Sequence, residues 1–212
     1  MMPPTGTEKV SLLELGENYS SEEWINYQRV LPAEEYEEAH LLKVLTNDFD
    51  SSPDTSPLLW APLHACRALA QMHALSVIDP MLRLAENDYY PQASEEFARI
   101  SSEIGDVAIE PIAAFLSDHA RSEKSRTLAA QGLGAIGRSS TGATRERIIE
   151  SLMNQIRINA KDGWVNGAAA SALITMEASA AGPEVLRMYK EGRIQGFIRG
   201  EELTQYFGQP NE

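Results

Sequence analysis

Two arginines that follow a run of small hydroxyl residues form the most suggestive constellation for chemistry in this chain. The run Ser139-Ser140-Thr141-Gly142-Ala143-Thr144 precedes a predicted helix that carries Arg145 and Arg147. The first amides of a helix have no partner within it, and the helix dipole favours negative charge at that end. With two guanidinium groups nearby, these amides predict an anion-binding site for a phosphate or a carboxylate. An ordinary polar turn with a helix N-cap explains the same residues without any ligand.

The single cysteine and the histidines near it predict little reactive chemistry. Cys66 lies two residues after His64, and residues two apart on a helix do not face each other, so the two form no nucleophile–base pair. His73 shares the helix face of Cys66, and we expect a buried cysteine beside a tolerated histidine. Four histidines and one cysteine are too few for a convincing zinc site. The sequence therefore predicts no catalytic residue, no metal and no cofactor.

The segment Gly132-Leu133-Gly134-Ala135-Ile136-Gly137 spells G-x-G-x-x-G, which is the spacing of a dinucleotide-binding loop. That loop follows a strand and opens a helix. Here residues 127–131 are predicted to be helical, and a polar segment follows the last glycine. We therefore expect these glycines to serve close helix packing.

Charge is unevenly distributed along the 212 residues, whose net charge is −13. Residues 1–60 are strongly acidic and include Glu34, Glu35, Glu37 and Glu38, which we interpret as a solvated helix face or a patch for a basic partner. Residues 121–157 are basic, and a solvated surface or a patch for an acidic partner explains them. An acidic chain repels phosphate backbones, so nucleic acid binding through 121–157 is the weakest of these alternatives.

The elements that position these residues follow a repeat. Four short apolar motifs end helical stretches rich in small residues, and they start 31, 33 and 40 residues apart; they are Leu69-Ala70-Gln71-Met72, 100–104, Leu133-Gly134-Ala135-Ile136-Gly137 and Leu173-Ile174-Thr175-Met176. A second apolar helix follows each motif, after breaks predicted at 76–80, 105–106, 137–144 and 182–183. Such a period is typical of stacked helical hairpins. The predicted fold is all-α, a right-handed α-solenoid of about four hairpins with capping segments.

The predicted domain organisation has four parts. Residues 1–18 form a flexible tail, 19–56 an acidic helical cap and linker, 57–192 the repeat domain and 193–212 a C-terminal cap. Within the acidic cap, Ser20 and Glu23 match a capping box that opens a helix ending at Val30, and a second helix is expected over 32–46. With no basic–apolar leader, no apolar run of about 18–20 residues and one cysteine, we expect a soluble cytoplasmic protein that binds no membrane.

The third repeat carries a resemblance to a known class. Ala129-Ala130-Gln131-Gly132-Leu133-Gly134-Ala135-Ile136-Gly137 resembles the first-helix signature of HEAT-like repeats of the phycobiliprotein-lyase type. Pro80 and Pro111, just inside second helices, are similar to that class. The layout, with Trp60-Ala61-Pro62-Leu63-His64-Ala65 opening the repeats, also resembles an uncharacterised bacterial HEAT-like family. The resemblance implies a scaffolding, assembly, chromophore-attachment or regulatory role.

The function predicted from these observations is a non-enzymatic protein-interaction or scaffold module. Its binding surface is expected on the row of second helices, with seven exposed members: Arg83, Glu110, Arg147, Glu150, Asn154, Arg187 and Lys190. The aromatic residues Trp60, Trp164, Tyr89 and Tyr90 are expected either to pack between repeats or to anchor a partner. The alternative is a lyase-like or chaperone-like protein that assists chromophore or cofactor attachment, a reading that rests on the resemblance alone.

Overall fold

All regular secondary structure in the described part of the chain is helical, in agreement with the predicted fold class. The structure is a computed structural model, and it describes residues 9–16, 23–46, 57–84, 93–158 and 161–208. The chain divides into two compact units, residues 1–81 and residues 82–212. Several predictions lie outside the described residues: the tail 1–8, Ser20 of the capping box, the linker 47–56, Tyr89 and Tyr90.

The first unit is built around one buried helix. It contains α1 (Tyr27–Val30), α2 (Glu38–Thr46) and α3 (Ala61–Gln71), with 3-10 turns at Leu12–Glu14, Pro57–Trp60 and Leu75–Val77; α4 (Ile78–Leu84) crosses the division between the units. Residues 61–70 are all buried, because α1 and α2 pack against α3. The helix predicted to end at Val30 begins only at Tyr27, where Asn26 caps it by accepting the amide of Arg29.

The predicted helix over 32–46 also begins late, at Glu38. The carbonyl of Pro32 accepts the amides of Glu35 and Tyr36, which closes a separate turn. Similarly, the break predicted at 76–80 occurs earlier. Helix α3 ends at Gln71, and after residues 72–74 the chain is again helical from Leu75.

The described residues of the second unit include seven α-helices in an alternating arrangement. They are α5 (Ala93–Ile104), α6 (Ile109–Ser117), α7 (Glu123–Ser139), α8 (Gly142–Ile158), α9 (Gly163–Thr175), α10 (Gly182–Lys190) and α11 (Gly200–Phe207). Helix α7 packs against α5 and α9, while α8 contacts α6 and α10. Each even-numbered helix also packs on the following odd-numbered one: α6 on α7, α8 on α9 and α10 on α11.

The three glycines of the G-x-G-x-x-G segment lie inside α7, at its contacts with neighbouring helices. A Cβ on Gly134 would lie 2.7 Å from the Cβ of Ala172 and 3.1 Å from its Cα. Gly132 faces Phe97 in the same way, and Gly137 faces Met176. The loop predicted over 137–144 is consequently short: α7 continues to Ser139, and α8 begins at Gly142.

A chain of buried polar groups joins the helices of the second unit. Arg126, whose side chain is 4% exposed, donates to the carbonyl of Leu116 at 2.8 Å and to Gln155 Oε1 at 3.0 Å. Gln155 Nε2 donates to Asn166 Oδ1 at 3.1 Å, and Asn166 Nδ2 donates to the carbonyl of Arg193 at 2.8 Å. These bonds link α6, α7, α8 and α9 to the segment that precedes α11.

The segment predicted as a C-terminal cap packs against α9 and α10. The amide of Gln195 donates to the carbonyl of Gly163 at 2.9 Å. Gly167 lies so close to the carbonyl oxygen of Gln195 that a Cβ there would collide with it. The ring of Phe207 covers Gly182, and the Tyr189 hydroxyl lies over Gly200. This packing fixes the approach of residues 193–199 to α9.

Candidate interaction surfaces

The seven residues predicted on second helices are all exposed. Glu110 lies on α6, three members lie on α8 and two on α10, while Arg83 lies on α4; the α8 members are Arg147, Glu150 and Asn154, and the α10 members are Arg187 and Lys190. The structure therefore brings those of α6, α8 and α10 onto helices that contact one another in order. Their role in binding stays a prediction.

Most charges of this row are engaged in ion pairs between or within the helices. Arg147 Nη1 lies 3.2 Å from Glu110 Oε1, and Arg157 bridges Glu150 at 2.9 Å and Glu184 at 2.7 Å. The hydrogen bonds from Arg157 hold the pKa of Glu184 below its usual range, and the same contact with Glu184 raises the pKa of Arg157. A partner that binds here must compete with these pairs.

The two arginines of the predicted anion site contact different elements. Arg145 Nη1 donates to the carbonyl of Gly137 at 2.9 Å, at the end of α7, whereas Arg147 pairs with Glu110. The hydroxyls of Ser139 and Ser140 both donate to the carbonyl of Ile136. The arginines serve contacts between helices in this arrangement, and anion binding there stays a prediction.

The histidine and cysteine of α3 are enclosed in the first unit. Cys66 is fully buried, and His64 is 2% exposed. His64 Nε2 lies 2.7 Å from the carbonyl of Gly16, which only accepts, so this nitrogen carries the proton. Nδ1 of the same ring lies 2.7 Å from the hydroxyl of Tyr27. His64 thus ties α1 and the segment at Gly16 to α3, which is a structural role.

A shallow groove crosses the odd-numbered helices of the second unit. We call it the first-helix groove, and its volume is about 370 Å³. Its lining comprises Glu95 and Ala98 from α5, Gln131, Ala135 and Arg138 from α7, and Ser171, Ala172 and Thr175 from α9. Small side chains of α5, α7 and α9, among them Ala98, Ala135 and Ala172, keep this groove shallow.

A second, more apolar depression lies between α9 and the C-terminal segment. We call it the α9–α11 cleft; its volume is about 640 Å³. Its lining comprises Ser171, Ile174, Phe197, Ile198, Glu202, Gln205 and Tyr206. Burial beside this cleft is the main cause that raises the pKa of Tyr206. Ser171 lines both depressions, so they form one continuous surface across α5, α7, α9 and α11.

Two exposed aromatic rings stand at the edge of the cleft. Trp164 is 51% exposed and Phe197 is 48% exposed, and their rings meet edge to face with centroids 5.9 Å apart. The backbone of Gly196 (φ +60) lies directly against the Trp164 ring, where a Cβ would collide. Phe197 itself has φ +48, a conformation that bulky residues rarely adopt. The fold holds this ring outward at a conformational cost.

Trp164 is among the aromatic residues predicted from the sequence to pack or to anchor a partner, whereas no binding role is predicted for Arg138 or Phe197. Residues 193–212 are predicted only as a cap, so Phe197 receives no separate role. Arg138 lies in a segment whose net positive charge the sequence reveals, but its place beside small residues of α9 depends on how α7 and α9 pack. The sequence signal that points to Arg138 is its position: it is a charged residue directly after a run of glycines that pack against neighbouring helices.

Comparison with known proteins gives no match to this chain among protein-family models, curated proteins or solved structures. Within the described residues, no group of three or more histidine, cysteine, aspartate or glutamate side chains is placed to hold a metal ion. In the same ranges, no helix combines the length and the apolar character needed to cross a membrane.

Proposed function

We propose that this chain is a non-catalytic protein-interaction module built from HEAT-like helical hairpins. In the second unit, α5–α6, α7–α8 and α9–α10 would be three stacked hairpins of a short right-handed α-solenoid, with α11 in the place of the next first helix. The regular order of contacts supports this arrangement: α7 contacts α5 and α9, α8 contacts α6 and α10, and each even helix packs on the next odd one. Such stacks bind partners along extended surfaces.

The observation that carries the proposal is the continuity of the first-helix groove with the α9–α11 cleft through Ser171. Together they offer a surface with small residues, a few charges and an aromatic edge. A long surface of this kind suits recognition through many modest contacts with a polypeptide. The row of second helices is the alternative surface, and its paired charges make it the less favourable one.

Affinity capture from a lysate of the source cells tests this function and separates the two surfaces. Ser171→Arg places a long side chain where groove and cleft meet, while the double variant Arg147→Glu, Lys190→Glu changes the second-helix row. We expect the first variant to lose the proteins captured by the wild type and the second to retain them. Circular dichroism of both variants controls for folding. Capture of no specific protein by the wild type would contradict the proposal.

The lyase-like or chaperone-like alternative draws support from one feature. The α9–α11 cleft has a volume of about 640 Å³, within the range of about 300–1,000 Å³ that small-molecule sites occupy. Absorbance titration of the purified protein with a linear tetrapyrrole tests it. An unchanged tetrapyrrole spectrum at saturating protein would eliminate this alternative.

A further inference from the structure

We propose that the continuous surface recognises an extended polypeptide segment that places a carboxylate on Arg138 and an apolar side chain in the α9–α11 cleft. This inference rests on the proposed protein-binding function and specifies the chemistry of its partner. It is carried by a guanidinium in the groove that pairs with no carboxylate of the described residues, by the apolar lining of the cleft, and by the contact of the two depressions at Ser171.

Arg138 differs from three other arginines of this unit, each of which contacts a carboxylate. It is exposed in the last turn of α7, and no carboxylate of the described ranges lies within 4 Å of its guanidinium. By contrast, Arg147, Arg157 and Arg199 each contact a carboxylate at 3.2 Å or less. A guanidinium that the fold leaves without an anion, in a groove, provides bidentate recognition of a carboxylate.

The groove also contains one carboxylate, at its opposite side. Glu95 is exposed on α5, and within the described residues no cation lies within 4 Å of it. Across the surface, the charges therefore run from negative on α5 to positive on α7. A complementary segment carries a basic residue toward Glu95 and an acidic one toward Arg138.

The cleft selects an apolar side chain because its one charged group is already satisfied. Glu202 Oε1 receives hydrogen bonds from Arg199 Nη2 at 2.8 Å and Nε at 3.1 Å. Its other oxygen accepts the amide of Arg199 at 3.1 Å. The remaining walls include Ile174, Phe197 and Ile198, which gain from contact with an aliphatic or aromatic group.

Helix spacing sets the separation of the two anchors. Packed helices lie about 8–10 Å apart, so Arg138 on α7 and the space between α9 and α11 are separated by roughly 12–15 Å. An extended chain rises about 3.3 Å per residue, which places the acidic and apolar residues about four or five positions apart. The intervening residues cross Thr175 and Ser171, whose short side chains leave room for a backbone.

The test uses fluorescein-labelled synthetic peptides of about ten residues and anisotropy measurements on the full chain. One set carries Asp and Leu about four positions apart in both orders; matched sets replace Asp by Lys, Asp by Ser, or Leu by Ser. We expect the Asp–Leu set to bind about tenfold more tightly than the Lys–Leu set, and the Asp–Ser set to bind no better than the background.

Arg138→Glu should reverse the preference between the Asp–Leu and Lys–Leu sets, and Phe197→Ser should abolish the advantage of Leu over Ser. Lys43→Glu, an exposed charge reversal on α2, is the matched control and should change neither preference. An unreversed preference in Arg138→Glu, or an equal effect of Lys43→Glu, would overturn the inference.

The outcome is distinguishable from failure of the proposed function itself. If Ser171→Arg abolishes capture from the lysate but no peptide set is preferred, the protein-binding function stands and the carboxylate–apolar specificity falls. Sedimentation velocity of the wild type and of Ser171→Arg tests whether a second copy of the chain occupies this surface instead. A wild-type dimer that this variant dissociates would assign the surface to a second copy of the chain and would also overturn the inference.

Discussion

Glu177 ends α9 in a backbone conformation that glycine adopts more readily. Its φ is +56, and His73, just after α3, has φ +53. At both places the following amide donates to the carbonyl five residues before it, as from Ala178 to Leu173 at 2.9 Å. This pattern is the Schellman motif, in which a left-handed residue closes the helix. A side chain with a Cβ costs about 1–2 kcal/mol in that conformation.

Glu177→Gly should therefore stabilise the protein. Relief of the left-handed strain outweighs the extra backbone entropy of glycine in the unfolded chain, and we expect a gain of about 0.5–1 kcal/mol. Urea unfolding monitored by circular dichroism measures it. Glu177→Ala is the matched control: it removes the same carboxylate but keeps the Cβ, so it should show no comparable gain. Equal stabilities of the two variants would contradict this explanation.

At the scale of elements, the contact between α7 and α9 depends on how closely their backbones approach. The position that a Cβ would take on Gly134 is 3.1 Å from the Cα of Ala172, which belongs to a helix backbone and cannot move alone. At Gly137 the nearest atoms belong to the side chain of Met176, which is flexible. Substitution of glycine by alanine should therefore affect stability differently at Gly134 and at Gly137, which lie about one helical turn apart.

Gly134→Ala should destabilise the second unit by about 1–3 kcal/mol, because overpacking outweighs the higher helix propensity of alanine. Gly137→Ala should be neutral or mildly stabilising, since Met176 can change rotamer. Thermal unfolding of the two variants and the wild type measures the difference. If both substitutions raise the midpoint equally, helix propensity and not the distance between α7 and α9 controls the effect.

The buried guanidinium of Arg126 holds α6, α7 and α8 together. Arg126→Met keeps the approximate volume of the side chain but leaves the carbonyl of Leu116 and the amide oxygen of Gln155 without this donor. Unsatisfied buried acceptors cost about 1–3 kcal/mol each, and we expect a loss of about 2–4 kcal/mol. Chemical unfolding measures it, with Arg138→Met as an exposed control. A loss below 1 kcal/mol would show that the network relaxes around the change.

The pair between Arg157 on α8 and Glu184 on α10 adds a small pH dependence. The pKa of Glu184 is lower in the folded protein than in the unfolded chain, mainly because of its hydrogen bonds from Arg157. Its contribution is complete above the ordinary glutamate pKa and disappears as the pH falls through the depressed folded value. Because solvent screens the pair, this contribution is at most about 1 kcal/mol.

Glu184→Gln should remove that part of the pH dependence. We expect it to lower stability at pH 7 and to have little effect once the pH is well below the usual range of a glutamate. Unfolding midpoints measured in urea between neutral pH and about pH 3 follow the difference. Glu146→Gln, an exposed change on α8, is the control. A constant difference at all pH values would contradict the linkage.

At the scale of the whole molecule, the sequence predicts the fold class and the presence of the helices more accurately than the residues at which the helices begin and end. Apolar spacing is enough to predict the helices of the second unit, because one face of each helix must be buried. The three glycines of 132–137 match a loop motif, but the sequence predicts that they serve close helix packing, and α7 continues through them in close contact with α5 and α9 despite their low helix propensity.

The candidate site is less accessible to sequence reasoning. Whether a charge is paired depends on which carboxylates the fold brings within 4 Å. Arg147 and Arg138 look alike in sequence, but among the described residues a carboxylate lies within 4 Å of Arg147 and none within 4 Å of Arg138. The α9–α11 cleft likewise depends on how residues 193–199 approach α9. Such long-range relations between helices carry no local signal, so the sequence predicts a surface but not which residues on it are available.

Each of the two units contains its own buried residues, and the second contains a complete set of cross-helix contacts. We expect a fragment of residues 82–212 to be helical by circular dichroism and to unfold cooperatively, because the polar chain from Leu116 to Arg193 lies entirely within it. A fragment of residues 123–212 is the control. It loses Phe97, Ile100, Ile112 and Leu116, all buried, each of which contributes about 1.5–3 kcal/mol. Losses of this size approach the whole net stability of a domain, so the shorter fragment should not unfold cooperatively. A fragment 82–212 without helical signal would show that the second unit does not fold on its own.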